Sequence, residues 1–329
     1  MRITKYTILV GTLLIALQAC NKDDDGGQEI VPPRDRAEQQ IAEAAILKSY
    51  LETHFFDTIP NPANPDYNIV TFDTIAGDNK DRQPISKSTL LQSKIVKFEE
   101  VDYTLYFLNF KKGAESKRNP TFADSTLITY RGELLYDLTP DDNNINTGKV
   151  FDNKVTPVWL DLFSPTAPAI IGFRESMVDY SGASSAVENS DGTVDFSQDF
   201  GNFTVFMPSG VGYYDRGSLN IPPYSPLIFT IQLYQINEAD HDGDGIPSYL
   251  EDLDNDRNVL DNDDNTDGDS LANYSDRDDD GDGILTKDEI TSIDANNDGF
   301  ISSDEITYYD DDGDGIQNHL DKDDRSIKN

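Results

Sequence analysis

At 329 residues the chain has room for two or three domains. Its 62 Asp and Glu against 26 Lys and Arg leave a formal net charge of −36, which excludes nucleic-acid recognition by bulk electrostatics. The excess is uneven: residues 237–329 hold 31 acidic side chains against 6 basic ones, so a separate acidic module is expected at that end.

Residues 1–19 read as a secretory signal, with Arg2 and Lys5 ahead of an apolar run from Ile8 to Leu17 that is too short to span a bilayer as a mature helix. Cys20 is the single cysteine and has no intrachain disulfide partner. It follows Leu17-Gln18-Ala19, which resembles a bacterial lipobox and implies diacylglyceryl attachment at Cys20, hence a membrane partner through a lipid anchor. The patch Asn21-Lys22-Asp23-Asp24-Asp25-Gly26-Gly27 resembles the export signal of surface lipoproteins in Bacteroidota, although a solvated tether over 20–34 reads the same. An outer-membrane lipoprotein, with surface exposure left open, is the expectation.

From Asp35 to Phe56 the pattern turns helical, with Ile41, Ala45, Leu47, Tyr50, Leu51 and Phe55 on one face and Asp35 at the cap. A loop at Asn61–Pro65 and strands at Ile69–Phe72, Ile95–Phe98 and Tyr103–Phe110 complete an N-terminal extension over 35–115. Over 116–236 the densest stretch is Phe203-Thr-Val-Phe-Met207, a strand ending at Pro208. A Gly/Tyr loop, the stiff turn Ile221-Pro222-Pro223 and a strand over Leu227–Leu233 follow it. Upstream stand Tyr130-x-Gly132, Val150-Phe151-Asp152, Pro157-Val-Trp-Leu160-Asp-Leu162 and Ile170-Ile171-Gly172-Phe173-Arg174-Glu175.

In this order the motifs resemble the FKBP-type peptidyl-prolyl isomerases, over about a third of the chain. The resemblance implies an antiparallel sheet wrapped on a short helix. It also implies a site lined by Tyr130, Phe151, Asp152, Ile170, Phe173, Tyr213, Ile221 and Phe229. In that scheme Phe173 replaces the family's floor tryptophan, Tyr213 donates its hydroxyl to a substrate carbonyl, Asp152 orients the peptide and Ile170 offers its backbone N–H. Such a site needs no cofactor. Isomerising an X-Pro bond means twisting the amide against a barrier of ~18–20 kcal/mol, and a dry aromatic pocket favours the twisted, less polar amide. Two insertions depart from the family, Tyr136–Lys149 and Val178–Gly201, and Leu160 stands at the family's aromatic position, with Trp159 beside it.

Residues 237–329 carry D-x-D-x-D-G loops. Oxygens at positions 1, 3 and 5 converge on one cation, glycine at 6 permits the turn, and position 12 closes the shell. The sets are Asp240, Asp242, Asp244 and Glu251; Asp278, Asp280, Asp282 and Glu289; Asp294, Asn296, Asp298 and Glu305; and Asp310, Asp312, Asp314 and Asp321. Weaker starts stand at Asn265 and Asp254. The last three loops repeat every 16 residues, too tight for helices between them, and position 7 is apolar throughout (Ile246, Ile284, Phe300, Ile316), which predicts a thin internal seam. This spacing resembles thrombospondin type 3 calcium repeats and implies structurally bound Ca2+.

The expected architecture is therefore α+β: an FKBP-like antiparallel sheet on a short helix, with an N-terminal α/β extension and a loop-rich calcium-repeat tail. Two functions stay open. One is prolyl isomerisation of proline-containing polypeptide clients during the folding of exported or surface proteins. The other is a catalytically weak peptide-binding or adhesive lipoprotein with a calcium-stiffened tail.

Overall fold

A computed structural model of the chain describes residues 32–60, 68–136, 148–218 and 220–328. The signal at 1–19, Cys20, the acidic patch after it, the Asn61–Pro65 loop and most of the first insertion lie outside the described residues. No described helix is long and apolar enough to cross a membrane.

The first element is helix α1 (Arg36–Thr53), opened by Asp35, whose side chain accepts from the Glu38 N–H at 2.9 Å. Leu47, Tyr50 and Leu51 are buried beneath it, but Ile41 is 74% exposed. The helix turns directly into the antiparallel pair β1 (His54–Pro60) and β2 (Asn68–Thr74), so Phe55 is buried from a strand and not from the helix.

Six further strands form one antiparallel sheet: β3 (Leu91–Phe98), β4 (Val101–Lys111), β5 (Ser125–Leu134), β6 (Val150–Asp161), β9 (Gly201–Met207) and β10 (Leu227–Asn237). Their spatial order is β3-β4-β9-β10-β5-β6. From β4 the chain therefore crosses three places over to β5, steps one place to β6, returns three places to β9 and steps back to β10 at the centre. Helix α2 (Ile171–Met177) lies on the return path, followed by the small hairpin β7 (Ala186–Glu188) and β8 (Val194–Phe196). The line drawn at residue 116 runs through this sheet, because β3 and β4 come from the stretch read as the extension and β4 pairs with β9.

Period-2 alternation explains how the sheet is covered on both faces. Leu105 and Phe107 on β4, with Phe229, Ile231 and Leu233 on β10, point to one side, where Phe173 and Met177 of α2 complete a core. Leu108, Phe206 and Ile228 point to the other side, where α1 and the β1–β2 pair cover them. The second insertion sends its first ring, Tyr180, into the α2 core, stacked on Phe203 at 3.7 Å, while the part that holds β7 and β8 packs Phe196 and Phe200 on Tyr234 beside Leu127.

The acidic tail is a chain of loops and single 3₁₀ turns with one short helix, α3 (Thr286–Glu289), and one small antiparallel pair, β11 (Ile290–Ser292) with β12 (Ile306–Tyr308). Its seam is not the predicted row. Ile246 is buried, but it packs with Ile290 and Ile306, which follow position 12, whereas Ile316 is 47% exposed. The reason is the β11–β12 pairing, which turns the residues after each loop inward. The tail is docked, with Phe163 and Tyr274 rings 6.1 Å apart and the Arg118 guanidinium 3.7 Å above the Phe300 ring. Residues 34–329 form one compact unit.

Candidate active site and acidic clusters

The α2 face of the sheet carries a cup of aromatic rings. Tyr130 and Phe229 are contributed by the neighbouring strands β5 and β10, Phe151 by β6, and Phe173 by the first turn of α2. Phe229 is the hub. Its ring centroid lies 5.1 Å from Phe173, 5.5 Å from Phe151 and 6.2 Å from Tyr130, and Tyr130 also meets Phe173 at 6.0 Å. Three of these four contacts are edge-on, the arrangement that ring quadrupoles favour. Phe173, Phe229 and Ile221 are buried, while Tyr130, Phe151 and Ile170 are partly open.

Gly132 explains how Phe151 enters. A Cβ at that position would stand 2.6 Å from the Phe151 ring and 2.9 Å from that of Phe229, so only glycine lets the edge strand lay its phenylalanine across β5.

The polar groups stand at one side of the cup. Tyr130 donates its hydroxyl to Asp152 Oδ2 at 2.5 Å. Burial first, then the bond to Asp152, raises the Tyr130 pKa well above the usual phenol value. Tyr213, 36% exposed, is likewise raised by burial and by the charge of Asp152. Both tyrosines therefore keep their protons at neutral pH and can donate. Of the residues singled out from the sequence, Tyr130, Phe151, Phe173 and Phe229 meet ring to ring, Asp152 binds Tyr130, Ile170 and Ile221 belong to the wider core, and the Tyr213 phenol is near enough to Asp152 to feel its charge. Trp159 does not join them, being half exposed on β6, and Leu160 packs against the core in its place.

The loop that carries Tyr213 is braced from α1, which sequence reasoning left without a role. Glu43, buried within the helix, accepts from Ser209 N–H and Ser209 Oγ, both at 2.6 Å. Arg36 donates to the Gly210 carbonyl at 2.9 Å, stacks on the Tyr214 ring at 4.2 Å and pairs with Glu99 at 2.7 Å. Desolvation raises the Glu43 pKa, against the hydrogen bonds from Ser209 that lower it.

In the tail, Asp242, Asp244, Glu251 and Asp279 each offer an oxygen within 4.8 Å of the others, and all four are buried. Both Glu251 carboxylate oxygens, and one each of Asp242, Asp244 and Asp279, have no hydrogen-bond partner. Burial and mutual repulsion raise the whole set, with Asp244 pushed up to about 7 and Asp279 up to about 9. An all-oxygen donor set of this kind fits a hard divalent cation such as Ca2+.

Asp240 does not join this group; it caps its loop, accepting from Gly243 at 2.8 Å and Gly245 at 3.1 Å. Asp278, Asp280 and Asp282 cluster, as do Asp310, Asp312 and Asp314, with Asp321 buried after the latter. Glu289, 1% exposed and with an unpartnered oxygen, is raised to about 8 by burial and by Asp280, Asp282 and Asp278. Asp294 accepts from Gly299 at 2.9 Å and Asn296 from Asp298 at 2.8 Å. Glu305 departs from the expected role. It closes a capping box with Ser302 and accepts from Ala295 at 3.0 Å, so its carboxylate is tied to backbone.

Asp279 was not among the residues expected from the spacing. Its signal was an acid at position 2 of a D-D-D-G-D-G loop, repeated at Asp311, where the first loop has His241.

Comparison with known proteins gives two findings. Residues 241–295 match the BamM C-terminal family. Among solved structures, a peptidyl-prolyl cis-trans isomerase from Pseudomonas syringae pv. tomato is 18% identical, covering 46% of this chain and 84% of that one, with a TM-score of 0.31. FkpA from Escherichia coli is 19% identical over 46% of this chain and 53% of its own, TM-score 0.31. A multi-domain immunophilin from Arabidopsis thaliana is 14% identical over 47% and 49%, TM-score 0.30. No curated protein matches the sequence.

Proposed function

We propose that the protein is an FKBP-type peptidyl-prolyl cis-trans isomerase that assists the folding of exported or surface proteins. The observation that carries this reading is the cup. Residues scattered from Tyr130 to Phe229, each at a family lining position, meet around the Phe229 ring with two protonated phenols and one carboxylate at the edge.

In the proposed mechanism a proline ring enters among Phe151, Phe173 and Phe229, with the hydroxyl of neighbouring Tyr130 turned to Asp152. Tyr213 donates to a carbonyl of the bound peptide, and the Ile170 N–H is a second donor. Asp152, held by Tyr130, orients the peptide. As the X-Pro amide twists it loses resonance and polarity, so a site that has already excluded water binds the twisted form better than the planar one. The lipobox-like run Leu17-Gln18-Ala19-Cys20, which would carry a lipid anchor at Cys20, and the BamM C-terminal match support a location at the outer membrane. Calcium held by the tail is part of the proposal, supported by the five buried carboxylate oxygens without partners in the Asp242–Asp279 cluster.

A proline-peptide isomerisation assay on the wild type, Phe173→Ala and Tyr213→Phe tests the reading. Acceleration by the wild type that falls in both variants supports it. Equal background rates for all three favour a surface module that holds peptides without turning them over.

A further inference from the structure

From the cup a groove of about 1030 Å³ runs outward, sharing Ile170 and Tyr213 with it. Its far wall is supplied by the tail, through Asn255–Asn258 and Leu260. In a chain with a formal charge of −36, this lining is balanced, with five bases and five acids. The bases are Arg36, Lys97, Arg174, Arg216 and Arg257.

Three of them are ion-paired on the spot: Arg36 with Glu99 at 2.7 Å, Lys97 with Glu100 at 3.0 Å and Arg257 with Glu175 at 2.7 Å. Arg216 is exposed to water. Arg174 differs from all of these. It is 8% exposed, yet its guanidinium makes no hydrogen bond or ion pair among the described residues, and Nη1 is a buried donor without an acceptor. The group is held in place by stacking, 4.0 Å over the Phe163 ring.

Its neighbouring acids are engaged elsewhere. Glu175 Oε1 takes Arg257 at 2.7 Å, and Oε2 faces Lys94 at 3.4 Å. Asp256 is near enough to favour the charge on Arg174 but accepts nothing from it. A buried cation with unused donors is costly unless an anion completes it. Burial lowers the Arg174 pKa to about 10, so at neutral pH it is still charged.

We propose that Arg174 is a specificity residue of the groove, accepting a carboxylate side chain of the client close to the proline held in the cup. This rests on the reading of the cup as a prolyl-peptide site. The ligand class is an extended acidic-proline peptide, with the guanidinium fork taking the carboxylate. Arg174 directly follows the cup residue Phe173 along α2, so an acid within a few residues of the proline is in reach.

The test is fluorescence-anisotropy binding of labelled proline peptides to the full chain, with Glu, Gln or Lys at the positions flanking proline. Wild type, Arg174→Lys and Arg174→Gln are compared, and thermal unfolding checks that each variant folds. The wild type should bind the best Glu peptide about tenfold more tightly than its Gln twin, and the Lys peptide least. Arg174→Gln should erase the difference, and Arg174→Lys should keep most of it. Should Arg174→Gln fail to fold, the wild-type ranking and Arg174→Lys still decide. Equal affinity of the wild type for Glu and Gln peptides overturns the carboxylate subsite and leaves the peptide groove standing. Failure to bind any proline peptide overturns both.

Discussion

The cup depends on a few side chains whose contributions differ in kind. Phe173 is packed edge-on against Phe229 and Tyr130, so Phe173→Ala removes both the floor of the site and core volume. A loss of about 3–5 kcal/mol in chemical denaturation, with isomerase activity near background, is expected. Tyr213 sits at the edge, and Tyr213→Phe removes only a donor, so activity should fall roughly threefold to tenfold with the melting temperature unchanged. Gly132→Ala should destabilise by about 1–3 kcal/mol, because the new methyl meets two rings. The meeting of Tyr130, Phe151, Phe173 and Phe229 was readable from the order of motifs along the chain. Arg174 was not, since a lone arginine in a helix start carries no local signal, and Asp279 had only the faint one of an acid at position 2 of its loop; in the structure each is set apart by burial with an unpartnered polar atom.

Among elements, α1 is the informative one. Its cap and its buried Leu47, Tyr50 and Leu51 followed from periodicity, whereas exposed Ile41 did not, because the inward face of the first turns is taken by the polar Gln40 and Glu43; Phe55 is buried from strand β1, which begins at His54. Period-2 alternation located β2, β3, β4, β9 and β10, but pairing across 90 residues and more, such as Phe107 with Val205, has no local sequence trace. For that reason β3 and β4 read as a separate extension, and the tail seam was assigned to position 7. The helix's role as a brace for the Tyr213 loop rests on Glu43. Glu43→Ala leaves the Ser209 N–H without an acceptor and should cost about 1–3 kcal/mol. Its pH signature has a defined sign. A carboxyl whose folded pKa is raised above 4.5 stabilises the fold fully below that value and loses this contribution as pH rises through the raised pKa. Thermal unfolding of wild type and Glu43→Gln across acid to neutral pH should show the wild type losing ground to the variant as pH increases. A gap that does not change with pH would remove Glu43 from this account.

At the scale of the whole molecule, the tail is both a wall of the groove and a store of unpaired buried charge. Calcium added at a hundred times its dissociation constant should raise stability by about 2.7 kcal/mol per site. Chelation should loosen the tail, seen as a larger radius in solution scattering. No change in either quantity would dismiss the cation. The central claim, however, is that the cup turns prolyl bonds. Exchange NMR on a proline peptide with the intact chain tests it most directly. The account predicts that substoichiometric wild-type protein speeds cis–trans exchange and that Phe173→Ala does not. Exchange at the buffer rate, with the peptide demonstrably bound, would contradict it.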